Sequence, residues 1–199
     1  MFWKIFVVPT IFILQIVSFS LDSWAMTKDI PTSKASDPFL KAMEKTLFKV
    51  KVSSENLLSM RNASTLLISC VDFRLRGETA ALLNQELHLL DDYDEISLPG
   101  SSLAFVLEDR PHWRQTIEEI IALLKQIHGI KRVIFLDHRQ CSAYKLAKGE
   151  EALSTHEKET SVHSDVFKQV RAKMKDNFPD LEVYTLLMGF DGIVENIKG

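Results

Sequence analysis

Cysteine is scarce in this chain, with two in 199 residues, which excludes a small scaffold held together by many disulfides. Glycine and proline are also few, at seven and six, too few for a collagen-like repeat or a disordered low-complexity protein. A basic excess is missing: the net charge is −3 at pH 7. That excludes nucleic acid as the main partner, because a phosphate-binding surface needs surplus positive charge. No glycine-rich nucleotide loop is present either, since Pro99-Gly100-Ser101 could form an anion-binding turn but lacks the GxGxxG pattern. What the chain does have is 46% apolar residues against 26% charged, enough to bury the core of one globular domain.

Only one long hydrophobic run occurs, from Ile5 to Phe19, after Met1-Phe2-Trp3-Lys4 and before Ser23-Trp24-Ala25. One positive charge, an apolar stretch of about 15 residues and small residues at −3 and −1 predict a signal peptide over 1–25, cleaved after Ala25. An uncleaved anchor is the competing reading, but a membrane span needs ~20 apolar residues, and Pro9, Gln15 and Asp22 interrupt this one. A true start at Met26 is the third. Export places the mature chain in the periplasm or outside the cell, free of the membrane once cleaved. Residues 26–37 are polar and read as a linker; residues 38–199 read as one domain.

Within that domain, helical spacing runs over Phe39 to Met60, Glu78 to Leu90, Pro111 to Gly129 and Thr155 to Met174. In the third of these, Ile117, Ile120, Ile121, Leu124 and Ile127 are expected to share one core face. Short apolar runs at Thr65–Cys70, Glu95–Leu98, Arg132–Leu136 and Leu181–Leu187 read as strands, with a turn over Gly189 to Gly192 and a short tail after the last. Strands alternating with long helices predict an α/β fold with a parallel sheet core flanked by helices. Ligands of such sheets collect at the carboxyl ends of the strands.

Both cysteines fall at such ends. Cys70 closes the first strand, and His138 and Cys141 follow the third. If those two strands are neighbours, the three side chains converge, and two thiolates with one imidazole are a donor set that suits Zn²⁺. Asp72 and Arg74 stand just beyond Cys70, spaced so that the guanidinium can hold the carboxylate by two hydrogen bonds. Such an Asp could act on a water or bind the metal itself. The competing reading is a Cys70 to Cys141 disulfide, the default for an even cysteine count in an exported chain.

Cys70-Val71-Asp72-Phe73-Arg74 followed by His138-Arg139-Gln140-Cys141 resembles the CxDxR and HxxC motifs of the β-class carbonic anhydrases, and the order of elements agrees over residues 64 to 148. The resemblance implies a β-carbonic-anhydrase-like fold, a Zn²⁺ centre with Cys70, His138 and Cys141 as ligands, and Asp72 paired to Arg74 as the catalytic dyad. It implies reversible hydration of carbon dioxide to bicarbonate by zinc-bound hydroxide, and homodimers or multiples of dimers. The chain departs from the family where Asp137 and Ser142 replace the usual glycines, and where Ser97-Leu98-Pro99-Gly100-Ser101 replaces an Arg-Asn-Ala-Gly stretch. It therefore reads as a divergent, exported branch. Two alternatives stay open: a hydrolase of a small heterocumulene such as carbon disulfide or carbonyl sulfide, and a non-catalytic exported domain held by zinc or a disulfide.

Two further groups read as solvated surface. His156 and His163, seven apart with Glu159 near both, are expected on a polar helix face, and Asp91, Asp92, Asp94 and Glu95 in a solvated acidic loop.

Overall fold

The computed structural model describes residues 59–198 together with Ala42 and Met43. The signal segment over 1–25 and the linker over 26–37 lie outside the described residues. So does the helix expected over Phe39 to Met60, except Ala42 and Met43, which are helical, and Ser59 and Met60.

Five strands form one sheet in the order β2-β1-β3-β4-β5. They are β1 (Thr65–Cys70), β2 (Tyr93–Leu98), β3 (Arg132–His138), β4 (Glu182–Met188) and β5 (Val194–Asn196). The first four pair in parallel, and β5 runs antiparallel to β4. β1 and β3 are neighbours, with Ile68 opposite Phe135. In β1 and β3 the side chains are almost all buried, as strands covered by helices on both faces require. Those strands therefore read as unbroken apolar runs rather than as alternating ones.

The helices are α1 (Arg76–Ala81), α2 (Ser102–Val106), α3 (Pro111–Ile127), α4 (Ser142–Lys148) and α5 (His156–Asn177). Pro111 starts α3 where its missing N–H costs nothing. Thr155 caps α5 by accepting the Lys158 N–H at 3.2 Å. Alternation along β1 sends Leu66 and Ile68 into one apolar cluster with Phe105, Ile117, Ile121 and Phe135, and Leu67 into the other with Leu83, Ile134 and Leu136. Fully burying each such side chain contributes roughly 1.5–3 kcal/mol, so Ile121→Ala in α3 should cost about 2–5 kcal/mol by opening a cavity. Among the described residues no helix is long and apolar enough to cross a membrane.

The structure corrects several expectations. The helix expected over Glu78 to Leu90 is a 3-10 turn (Phe73–Leu75), then α1, then a π-helical turn over Leu82–Glu86, closed by the Leu87 N–H on the Leu82 carbonyl at 2.9 Å. Leu82 and Leu83 are buried, but Leu87 and Leu90 face solvent, because the wider π turn shifts the register of the apolar face. Ile127, at the end of α3, is likewise exposed. The acidic stretch is largely paired rather than solvated: Asp92 takes the Ser64 N–H and hydroxyl, Asp94 meets His128 and Glu95 meets Arg76. The short tail contributes β5, a strand too short for a sequence signal.

Candidate metal centre

The carboxyl ends of β1 and β3 bring Cys70, His138 and Cys141 together, with the candidate ligand atoms all within 4.8 Å of one another. Cys70 ends its strand opposite Leu98, and His138 ends β3 opposite Met188. Cys141 follows in the N-cap position of α4. To make that turn the chain places Gln140 at φ 54°, a left-handed conformation that a side chain resists. It is held there by Glu159 of α5, which accepts the Gln140 N–H at 2.5 Å.

Both cysteines are free, with their sulfurs 3.9 Å apart, well beyond the ~2.05 Å of a disulfide bond. They share one environment asymmetrically. The Cys70 thiol is lowered, chiefly by its hydrogen bond with Cys141 and against the opposing effect of burial, with help from His138 and the Gly100 N–H. Cys141 is raised by the same contact and by burial. The Gly100 N–H lies 3.3 Å from Cys70 Sγ. Here the Pro99-Gly100-Ser101 turn does present an N–H to an anion, and the anion is a sulfur of the chain itself.

His138 Nδ1 bonds the Arg139 carbonyl at 2.8 Å, which fixes the ring and points Nε2 at the sulfurs. Nε2 is buried and has no hydrogen-bond partner among the described residues. Burial works against its protonation, but the Cys70 sulfur and the Arg139 carbonyl outweigh it and raise the imidazole. An orphaned buried nitrogen beside two free thiols, one depressed, is costly in an empty protein and natural around a cation. The donor set therefore fits zinc.

Asp72 stands at the edge of this cluster, with Oδ2 3.7 Å from His138 Nε2. Arg74 grips it three ways: its backbone N–H and Nε donate to Oδ1 at 3.0 and 2.9 Å, and its terminal nitrogen donates to Oδ2 at 2.6 Å. That grip holds the carboxyl at about 2. Phe190, in the turn between β4 and β5, packs against Arg74 and His138. Its ring centre is 4.5 Å from the Arg74 guanidinium carbon and meets the His138 ring edge-on at 6.0 Å. A small cavity of about 10 Å³ lies between Ser69, Cys70, Asp72, Arg76, Asp137 and His138. On the other side of Asp72 an open cavity of about 490 Å³ is lined by Val71, Phe73, Arg74, Gln140, Ser142 and Lys145.

All five residues singled out in the sequence thus meet at one place. Sequence reasoning missed Phe190, whose turn gave no chemical signal. It also misjudged the α5 face: His156 is exposed, but Glu159 and His163 are buried. They face β3 and the turn after it, where Gln140 and Asp137 supply the polar partners that a solvated face would have found in water. Asp137, seen in the sequence only as a departure from a glycine, is the partner of His163.

Known proteins resemble this chain along most of its described length. A family model described as "Putative carbonic anhydrase" matches residues 60–197. An uncharacterized protein of Rickettsia bellii (strain RML369-C) is 54% identical over 77% of this chain and 93% of its own length. Another, of Rickettsia conorii (strain ATCC VR-613 / Malish 7), is 51% identical over 77% and 82%. The carbonic anhydrase of Streptococcus mutans covers 80% of this chain and 95% of its own at 16% identity, with a TM-score of 0.48. With the family match running from Met60 to Ile197 and through both motifs, the chain belongs to the carbonic anhydrase family.

Proposed function

We infer that this protein is a zinc-dependent carbonic anhydrase that interconverts carbon dioxide and bicarbonate. The observation that carries the reading is the buried, unpartnered His138 Nε2 facing two free cysteine sulfurs, with an Arg-clamped aspartate beside it. Cys70, His138 and Cys141 would hold the ion. When bound, zinc supplies a Lewis acid that brings the pKa of a water toward ~7.

The remaining work falls to the chain. Asp72 Oδ2 accepts a hydrogen bond from the attacking water and fixes where its lone pair points. Arg74 keeps that carboxylate ionised and oriented, and the threefold grip favours Asp72 as a hydrogen-bond acceptor over Asp72 as a ligand. Phe190 shields the guanidinium face and keeps the pair in place. Bicarbonate leaves past Arg74 and Lys145, both cationic, through the open cavity. By the same reading the chain is exported through residues 1–25 to the periplasm or beyond, and assembles as homodimers or multiples of dimers.

The test is to measure metal content, accessible thiols and carbon dioxide hydration on one sample of the purified protein. About one zinc per chain, thiols released only by denaturation with chelator, and hydration abolished by chelation are expected. A metal-loaded protein that does not accelerate hydration would overturn the activity. A protein without metal would overturn the centre itself.

A further inference from the structure

β3 ends in two adjacent polar residues with separate partners. His138 meets the cysteines, while Asp137 is 1% exposed and is met by four donors. The Ser102 backbone N–H donates to Oδ1 at 3.0 Å. The Ser102 hydroxyl, the Tyr144 hydroxyl and His163 Nδ1 reach Oδ2 at 2.5, 2.5 and 2.8 Å. Every one of these groups is buried. Four donors make a buried carboxylate tolerable, yet they do not explain why one is present. An apolar residue with apolar neighbours would serve the core as well or better.

What the donors are attached to supplies the reason. Ser102 opens α2 directly after the turn whose Gly100 N–H reaches Cys70 Sγ. Tyr144 lies in the first turn of α4, the helix capped by Cys141. His163 lies on α5 one turn after Glu159, which holds Gln140 between His138 and Cys141. The 99–102 turn is also strained, because Ser101 sits at φ 49° while fully buried. Such a conformation costs a non-glycine residue about 1–3 kcal/mol and persists only where neighbours enforce it. Here two contacts do so: Ser101 Oγ donates to the Ile68 carbonyl at 2.8 Å, and Ser102 is pinned to Asp137.

We propose that Asp137 is a positioning residue of the Cys70, His138 and Cys141 centre: untouched by metal or substrate, it locks the turn that hands an N–H to Cys70 Sγ and the helix that opens at Cys141. The proposal rests on the metal-centre reading above. Its chemistry is that of an outer partner which sets the direction and electron density of a ligand sulfur.

The experiment loads the full chain with Co²⁺ or Zn²⁺ and compares Asp137→Asn, Ser102→Ala and Tyr144→Phe with the parent. Asp137→Asn keeps the shape, and the two hydroxyls can reverse their donor roles toward the new amide. It should still take up one cobalt per chain, but with a shifted thiolate-to-cobalt absorption band and zinc affinity lower by roughly tenfold to a hundredfold. Ser102→Ala and Tyr144→Phe should move both readouts the same way, by less. Ile121→Ala in α3, which removes no hydrogen bond of the Asp137 cluster, provides a control that loses stability without moving the band.

Unchanged affinity and an unchanged band in folded Asp137→Asn would overturn the positioning role. If that variant does not fold, the same result in Ser102→Ala and Tyr144→Phe overturns it. A parent chain that takes up neither ion through its thiols removes the centre and this role together. A parent that binds while all variants match it removes this role alone.

Discussion

Asp72 and Asp137 flank the same histidine, and the fold treats them in opposite ways. Asp72 is met by a full positive charge at the rim, where Arg74 is 41% exposed. Asp137 is met by no cation paired face to face, only by a backbone N–H, two hydroxyls and a ring nitrogen, all sealed from water. At the rim, water competes for both charges, so the pair sets orientation far more than stability. In the interior no water stands in for the carboxylate, and only the Ser102 and Tyr144 hydroxyls, 3.0 Å apart, have another partner in each other, so stability depends on the cluster. On the proposed reading, function falls to the half-buried carboxylate at the rim and architecture to the fully buried one.

The sharpest way to break this contrast is to delete each carboxylate. Asp137→Ala leaves the Ser102 N–H, His163 Nδ1 and one of the two hydroxyls buried without an acceptor, the other hydroxyl turning to its neighbour at 3.0 Å. At about 1–3 kcal/mol for each unsatisfied group, with partial relaxation, the loss should be at least ~3 kcal/mol, read as a lower midpoint in denaturant unfolding. A loss below ~1 kcal/mol would mean that the cluster is decoration. Asp72→Asn should do the reverse, changing unfolding by less than ~1 kcal/mol while reducing carbon dioxide hydration about a hundredfold with metal content unchanged. Undiminished hydration would strip Asp72 of its proposed part.

The half of the site built around the cysteines was the legible half. Cys70, Asp72 and Arg74 sit at alternate positions after a strand, and His138 and Cys141 within one turn of chain, so their chemistry shows in local spacing. The parallel sheet was equally open, since β1 and β3 are buried on both faces and read as apolar runs. Asp137, Ser102, Tyr144 and His163 were not legible as a set, because they come from four elements and meet only through the topology. His163 shows the difficulty well: its helix is polar overall, and nothing local distinguishes a histidine facing water from one facing a buried carboxylate. β5 was missed because three residues carry no period, and the break in the helix after α1 because leucines spaced for an α-helix do not announce a π turn.

A smaller effect tests the rim from its other side. Phe190→Ala removes the ring over Arg74, a contact worth about 0.5–1 kcal/mol at an exposed site, and frees the guanidinium to move. Hydration should fall by less than about tenfold, since that energy corresponds to a factor of roughly 2–5, and metal affinity should hold because no hydrogen bond to the centre is lost. A hundredfold fall would show that Phe190, not Arg74, fixes Asp72.

The smallest effect belongs to a third aspartate, which extends the comparison to full exposure. Asp180 is 63% exposed and accepts from Lys125 Nζ at 2.7 Å, and that hydrogen bond lowers its carboxyl below the ordinary value of 3.8. A lowered folded value means that any stabilisation is present above the unfolded carboxylate range and is lost as pH falls through the folded value. Above that range the pair is intact, but water and salt screen it. Asp180→Asn should therefore leave the thermal midpoint at pH 7 within measurement scatter, and its acid-unfolding curve should lie over that of the parent. A distinct drop at pH 7 would mean that a short ion pair stabilises this fold regardless of exposure, and the ordering of Asp137 above Asp72 above Asp180 would need another cause than access of water.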